Sequence, residues 1–299
     1  MNEIACRISR YYTMFMEGIT VVAMIMFNLS PTINNARKTI FAENRDANYT
    51  LELSLYYSFP GFNPHEHFKL VTVYNVYLSY NCGILICGID LLLFLMIFQI
   101  IGHVNVLRLN LSNFESPNSK ITLKVRGTSS DAEPCTVEIY DQEENRIAHT
   151  KLADCIEHHK IIIEFTDEIS QLFGPMLAFN YLFHLVGCCL LLLECSEGGA
   201  DSVLRYGPLT TVIFGQLIQM SVIFEILGSE TEKLKESAYL VPWQCMNVSN
   251  QRSVCFLLHR MQDKISLTAL GLTAVGVDTM TWILKTTFSY FAFLRSIDN

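Results

Sequence analysis

At 299 residues the chain is long enough for a large core, but 51% of it is hydrophobic and only 17% charged, with a mean hydropathy of +0.29. That composition is typical of membrane proteins rather than soluble globules. A net charge of −8 and a pI near 5.5 leave no basic stripe to neutralise phosphates, which excludes nucleic acid as a partner.

A hydrocarbon core about 30 Å thick needs roughly 20 mostly apolar residues per helix. Five stretches meet that need. The first, Tyr11 to Leu29, ends at Ser30-Pro31. Arg7 and Arg10 before it resemble a signal-peptide n-region, but the run is too long, contains Glu17 and lacks a small-residue cleavage site, so it reads as a retained span. The second, Leu70 to Ile101, exceeds the bilayer and is predicted to project beyond it as a helix. The third is Gln171 to Leu193 and the fourth Gly207 to Leu227. The fifth lies within Ile265 to Leu294, interrupted by Gly271, Gly276, Asp278 and Lys285. Backbone polar groups in lipid must be satisfied within the element, so the fold class is an all-α membrane protein, a bundle of about five transmembrane helices with cytoplasmic helical extensions.

The connections give the expected domain plan. Membrane helices fill 1–101 around an outer loop at 31–69, and 102–170 is a cytoplasmic loop. Membrane helices return at 171–227, an inner anchor segment occupies 228–265, and the last helix and outer tail take 266–299. With the amino terminus inside, inner segments carry 14 Lys and Arg against 5 in the outer ones, though the long 102–170 loop inflates that count. The sequon at Asn48 supports the same orientation by falling in the outer loop, leaving those at Asn110 and Asn247 cytoplasmic and silent. The 102–170 segment holds 12 acidic residues, and Ile121–Val125 and Thr136–Tyr140 alternate like strands, which fits either a small hairpin or a disordered insert.

Ten cysteines do not make a disulfide scaffold. Most sit in apolar runs or expected inner segments, and only Cys195 lies near an outer loop, so they read as small apolar side chains. Catalytic and cofactor readings fail as well. His65-Glu66-His67 lacks the i, i+4 spacing of a zinc helix, and His158-His159 has no cysteine or carboxylate at metal-site spacing. With no phosphate loop and no nucleophile elbow, neither enzyme activity nor a metal or cofactor is expected.

Binding features remain. Tyr74, Tyr77 and Tyr80 recur on one helix face, either lining a pocket for small volatile molecules or forming an interfacial aromatic belt. Met24 and Phe27 on the first span are further pocket candidates, with plain packing the commoner role. Asp90 and Glu17 are ionisable groups in apolar spans; a polar contact within the bundle suits Asp90, and proximity to the inner interface suits Glu17. Lys285 either faces a water-filled path or snorkels to an interface.

One ordered series of marks runs along the chain. Ser58-Phe59-Pro60-Gly61-Phe62 is followed by Asp90, His158-His159-Lys160, then Gly228, Tyr239, Trp243 and Ser289-Tyr290. The series resembles the insect odorant receptor family, seven-span proteins that form odorant-gated cation channels. The resemblance implies that the spans here correspond to the family's third to seventh, so that the chain is amino-terminally truncated, with part of one pocket wall missing. It implies a hetero-tetramer with odorant co-receptor subunits, a small volatile organic ligand and a surrounding of membrane lipid. Location would be the plasma membrane of an olfactory sensory neuron dendrite, with the carboxy terminus extracellular. By the same resemblance Phe293 and Ile297, in one stripe with Tyr290, match the outer gate of the pore. Tyr239 and Trp243 fall in the inner anchor, where they make subunit contacts or serve as ordinary interfacial anchors. Three rivals accompany this reading: an interfering truncated subunit, a gustatory-type receptor channel, and a secondary transporter with helices broken at Gly174-Pro175 and in the last run.

Overall fold

The structure is a computed structural model, and it describes residues 2–41, 52–55, 63–64, 66–117, 120–123, 135–197, 199–271 and 273–297. Asn48, the Pro60 element and His65 lie outside the described residues. Six helices carry the chain: α1 (Asn2–Phe41), α2 (Phe68–Ser112), α3 (Gln142–Glu197), α4 (Gly199–Tyr239), α5 (Val248–Arg260) and α6 (Val277–Ile297). Two small hairpins, β1–β2 (Lys120–Leu123, Cys135–Glu138) and β3–β4 (Thr268–Ala269, Thr273–Ala274), and a 3-10 turn at Trp243–Cys245 complete the described elements.

The helices are longer than their apolar runs. Four contain stretches long and apolar enough to cross a membrane, within Glu17–Ala36, Phe68–Ser112, Gln142–Ser196 and Ser202–Cys245. The 56 residues of α3 reach roughly 84 Å at 1.5 Å per residue, far beyond a bilayer. α6 has 21 residues, enough to span, but carries Asp278, Lys285 and Arg295.

Buried positions explain the lengths. In α3 they fall at Ala148, Leu152, Cys155, His159, Ile162, Thr166, Ile169 and Phe173, spacings of three and four that keep one seam inward. α2 repeats the rhythm at Ile97, Ile100, Val104, Leu107 and Leu111, and α4 at Leu227, Thr231, Leu234 and Ala238. The seam tolerates Thr166 and Thr231 because each hydroxyl donates to the carbonyl four residues back, Ile162 and Leu227.

Two expectations need correction, and one rival loses a premise. The first span was expected to stop at Ser30-Pro31, but α1 runs through a buried Pro31 to Phe41. A proline forfeits one backbone bond, and the downstream turn is held instead by Asn35 to Glu52. The loop expected at 102–170 is mostly helix, because the seams of α2 and α3 continue through its charged surface; only 120–138 holds the hairpin. The break at Gly174-Pro175 that the rival transporter reading invoked does not occur, since α3 is continuous through Pro175, as the expected span Gln171 to Leu193 requires. The last run does break, into β3–β4 with Leu270 (φ 53) and Gly271 (φ 67) at its turn.

The chain divides into two compact units. The first comprises Met1–Leu95, Met176–Val222 and Gly276–Asn299, and the second Met96–Pro175 and Ile223–Val275.

Candidate ligand-binding, pore and assembly surfaces

In the first unit α1 meets α2 at Gly83. A Cβ there would lie 1.6 Å from Met24 Cε, so only glycine admits the Met24 side chain in this position. One turn beyond Met24, Phe27 and Tyr206 have ring centroids 6.2 Å apart, and the Arg205 guanidinium sits 5.5 Å and 5.1 Å from the two rings.

The same Arg205 donates from Nη2 to the carbonyls of Leu53 (3.3 Å) and Ser54 (3.2 Å). Asn35 grips Glu52 at both its N–H and its carbonyl, and Asn75 Nδ2 donates to the Leu55 carbonyl at 3.1 Å. The short segment 52–55 is therefore strapped by side chains of α1, α2 and α4, with Leu53 buried beneath it. Sequence reading missed this strap because its anchors lie up to 152 residues away.

Of the expected pocket residues, Met24 and Phe27 sit half-buried within this packing. Tyr74, Tyr77 and Tyr80 occupy an outward face of α2, being 48%, 62% and 56% exposed. Deeper in the unit, Glu17 and Thr20 of α1, Cys87 and Asp90 of α2, and Gln216 and Gln219 of α4 line one small cavity. Asp90 thus has the polar company that its place in an apolar span requires.

α6 has two unlike faces. Ile283 and Thr287 are fully buried, and Phe288 stacks on Phe214 at 6.4 Å. The opposite face presents Trp282, Lys285, Thr286, Ser289, Tyr290 and Phe293 along one open groove. Tyr290 and Phe293 are 56% and 60% exposed; Ile297 ends the helix. A face that mixes a lysine and hydroxyls with aromatics suits water or a protein partner better than lipid.

In the second unit a buried amide network joins the start of α3 to α5. Asn145 accepts the Asn247 N–H at Oδ1 (2.8 Å) and donates to the carbonyls of Tyr140 and Asp141. Asn250 donates to the Asn145 carbonyl at 2.8 Å, while its Oδ1 lies 3.1 Å from His149 Nδ1. Asn247 also caps α5, its Oδ1 accepting the Asn250 N–H. Tyr140 donates its hydroxyl to the Glu115 carbonyl, and burial, helped by Cys245 and nearby acids, pushes that phenol up to about 12. Arg108 pairs with a largely buried Glu230 at 2.8 Å. His159 is buried, and that burial, with Arg260 and His158 nearby, lowers its pKa from the ordinary 6.5.

Around this interior, Tyr239 and Leu240 are exposed and share an open groove with Glu232, Lys235, Leu258 and Gln262. Trp243 stands exposed in the 3-10 turn before α5. Among the described residues no group of three or more His, Cys, Asp or Glu could hold a metal.

Comparison with known proteins supplies the lineage. A family model described as 7tm odorant receptor matches residues 1–288. Odorant receptor 85a of Drosophila melanogaster is 23% identical over 80% of this chain and 55% of its own length. Odorant receptor 85c of the same fly is 24% identical over 49% of this chain and 38% of its own length. Odorant receptor 10 of Aedes albopictus is 25% identical over 52% of this chain and 42% of its own. The chain thus spans about half, or less, of the length of these relatives. The insect olfactory receptor OR5 from Machilis hrabei, in complex with eugenol, shares the fold with a TM-score of 0.74 at 10% identity, over 99% of this chain and 68% of that one.

Proposed function

Because the chain belongs to the 7tm odorant receptor family, we propose that it is a subunit of an odorant-gated, non-selective cation channel assembled as a hetero-tetramer with a co-receptor. The observation that carries this reading is the uncovered face of α6, where Lys285, Thr286 and Ser289 alternate with Trp282, Tyr290 and Phe293. In a multi-pass membrane protein such a face needs water or protein opposite it, and a pore supplies both. Tyr290, Phe293 and Ile297 then line the conduction path, with Phe293 and Ile297 as its apolar constriction.

The ligand is a small volatile organic molecule, the class to which the eugenol bound by Machilis hrabei OR5 belongs. Met24, against Gly83, and Phe27, against Tyr206, are its contacts on α1. Tyr74, Tyr77 and Tyr80 contribute phenols from the exposed face of α2. Tyr239 and Trp243 serve assembly through the groove beside them. The receptor lies in the plasma membrane of an olfactory neuron dendrite, amino terminus inside and carboxy terminus outside, which exposes the Asn48 sequon. The Asn247 sequon stays silent, with its side chain already capping α5.

The test is current recorded on co-expression with a co-receptor, using Lys285→Glu and Phe293→Ala. A lining role predicts that Lys285→Glu shifts the relative permeability of divalent over monovalent cations upward, and that Phe293→Ala raises leak without ligand. Unchanged permeability ratios and unchanged leak in both variants would remove α6 from the pore.

A further inference from the structure

The mechanism above leaves two imidazoles unused. His103 on α2 and His158 on α3, 55 residues apart in sequence, bring Nδ1 and Nε2 within 3.2 Å of each other. The rings meet edge-on, with centroids 5.4 Å apart and planes at 90°. His103 is exposed and His158 half-buried, so the pair is open to solutes.

We propose that His103 and His158 form a labile binding site for a borderline divalent transition-metal ion, Zn²⁺ or Cu²⁺. Zinc–imidazole bonds are about 2.0–2.1 Å long, so two nitrogens on one tetrahedral ion stand roughly 3.3 Å apart. The observed separation matches that bite within about 0.1 Å. Imidazole suits Zn²⁺ and Cu²⁺, whereas Mg²⁺ and Ca²⁺ favour oxygen, which sets the class of ion.

Without an ion the same geometry serves one hydrogen bond, with a proton between the two nitrogens. Metal binding replaces that proton. The histidine that gave it keeps a neutral ring by carrying its hydrogen on the other nitrogen, so the exchange needs no net proton release near neutral pH. Both rings must be neutral to ligate an ion. His159 is not a third ligand, since it is buried in the α3 seam. With only two protein ligands the remaining coordination positions go to water, and the ion stays exchangeable. Bound there, it clips α2 to α3 within the second unit. This inference is independent of the channel reading.

The experiment is Zn²⁺ titration by calorimetry and Cu²⁺ electron paramagnetic resonance on the purified full chain in detergent. His103→Gln and His158→Gln are compared with His259→Gln as a control. The site predicts one ion whose Cu²⁺ spectrum shows two nitrogen ligands, and at least tenfold weaker Zn²⁺ binding in either pair variant but not in the control. Melting in chelator checks that each variant folds, and alanine at the same position replaces any glutamine variant that does not. Binding that survives both single variants would overturn the site.

Discussion

The two units treat their buried polar groups differently. Among the described residues, seven buried side-chain atoms lack a hydrogen-bond partner, and six are in the first unit: Asn28 Oδ1, Asn75 Oδ1, Tyr181 Oη, His184 Nε2, Arg205 Nε and Thr287 Oγ1. The second unit has one, Asn105 Oδ1, although its interior holds the Asn145–Asn250 network, His159 and two seam threonines. An unpaired buried polar atom costs about 1–3 kcal/mol, so the first unit is the less settled interior. It is also the unit that holds the proposed ligand and pore residues, while the second holds the proposed assembly surface.

The largest effect should come from breaking the satisfied network. Asn145→Ala strips partners from the Asn247 N–H, the Asn250 amide and the Tyr140 and Asp141 carbonyls at once. Leaving buried groups unpaired should cost roughly 3 kcal/mol. Thermal melting of purified protein should show a markedly lower transition. A melting point within about 1 °C of wild type would mean that the network is not what holds α5 to α3.

A smaller loss is expected where the second unit relies on close backbone packing. A Cβ on Gly174 would sit 3.1 Å from the Thr268 carbonyl oxygen and 3.2 Å from the Leu270 N–H. Both neighbours are backbone, in a hairpin already tied to α3 by the Thr268 N–H to Ser170 Oγ. Gly174→Ala gains about 1 kcal/mol of helix propensity but meets an overpacking cost of about 1–3 kcal/mol, so a net loss near 1 kcal/mol is expected in the same melting assay. A stabilised variant would show that the hairpin yields freely.

How far the sequence revealed these features depends on how local they are. The spans were legible because 20 apolar residues in a row have few other uses, and the hairpin strands around Ile121 and Val137 because they alternate. Passage of α3 through Pro175 was legible in the apolar run Gln171 to Leu193, but its extension back to Gln142 was not, because the buried seam from Ala148 lies among charged residues. In α2 the seam is hidden because its neighbours are apolar too, as at Leu91 and Leu92. The strap from Asn35, Asn75 and Arg205, and the pairing of His103 with His158, join residues from separate helices. Nothing in either stretch alone records its partner. Of the series that pointed to the receptor family, Tyr239 ends α4 and Trp243 lies in the connection after it, while Asp90, His158, Gly228 and Ser289 sit inside helices.

The smallest effect is the sharpest test of the contrast, because the same substitution should have opposite signs in the two units. Thr287 is fully buried in α6 and its hydroxyl has no partner, whereas Thr231 in α4 donates to the Leu227 carbonyl at 2.9 Å. Valine has nearly the shape of threonine, so exchanging them changes little but the hydroxyl. Thr231→Val should lose a hydrogen bond and cost about 1 kcal/mol, while Thr287→Val should remove an unpaired group and be neutral or stabilising by up to about 1 kcal/mol. Paired melting curves resolve the sign even where the size is small. If Thr287→Val destabilises as much as Thr231→Val, its hydroxyl is satisfied in the membrane, and the first unit's interior is as settled as the second's.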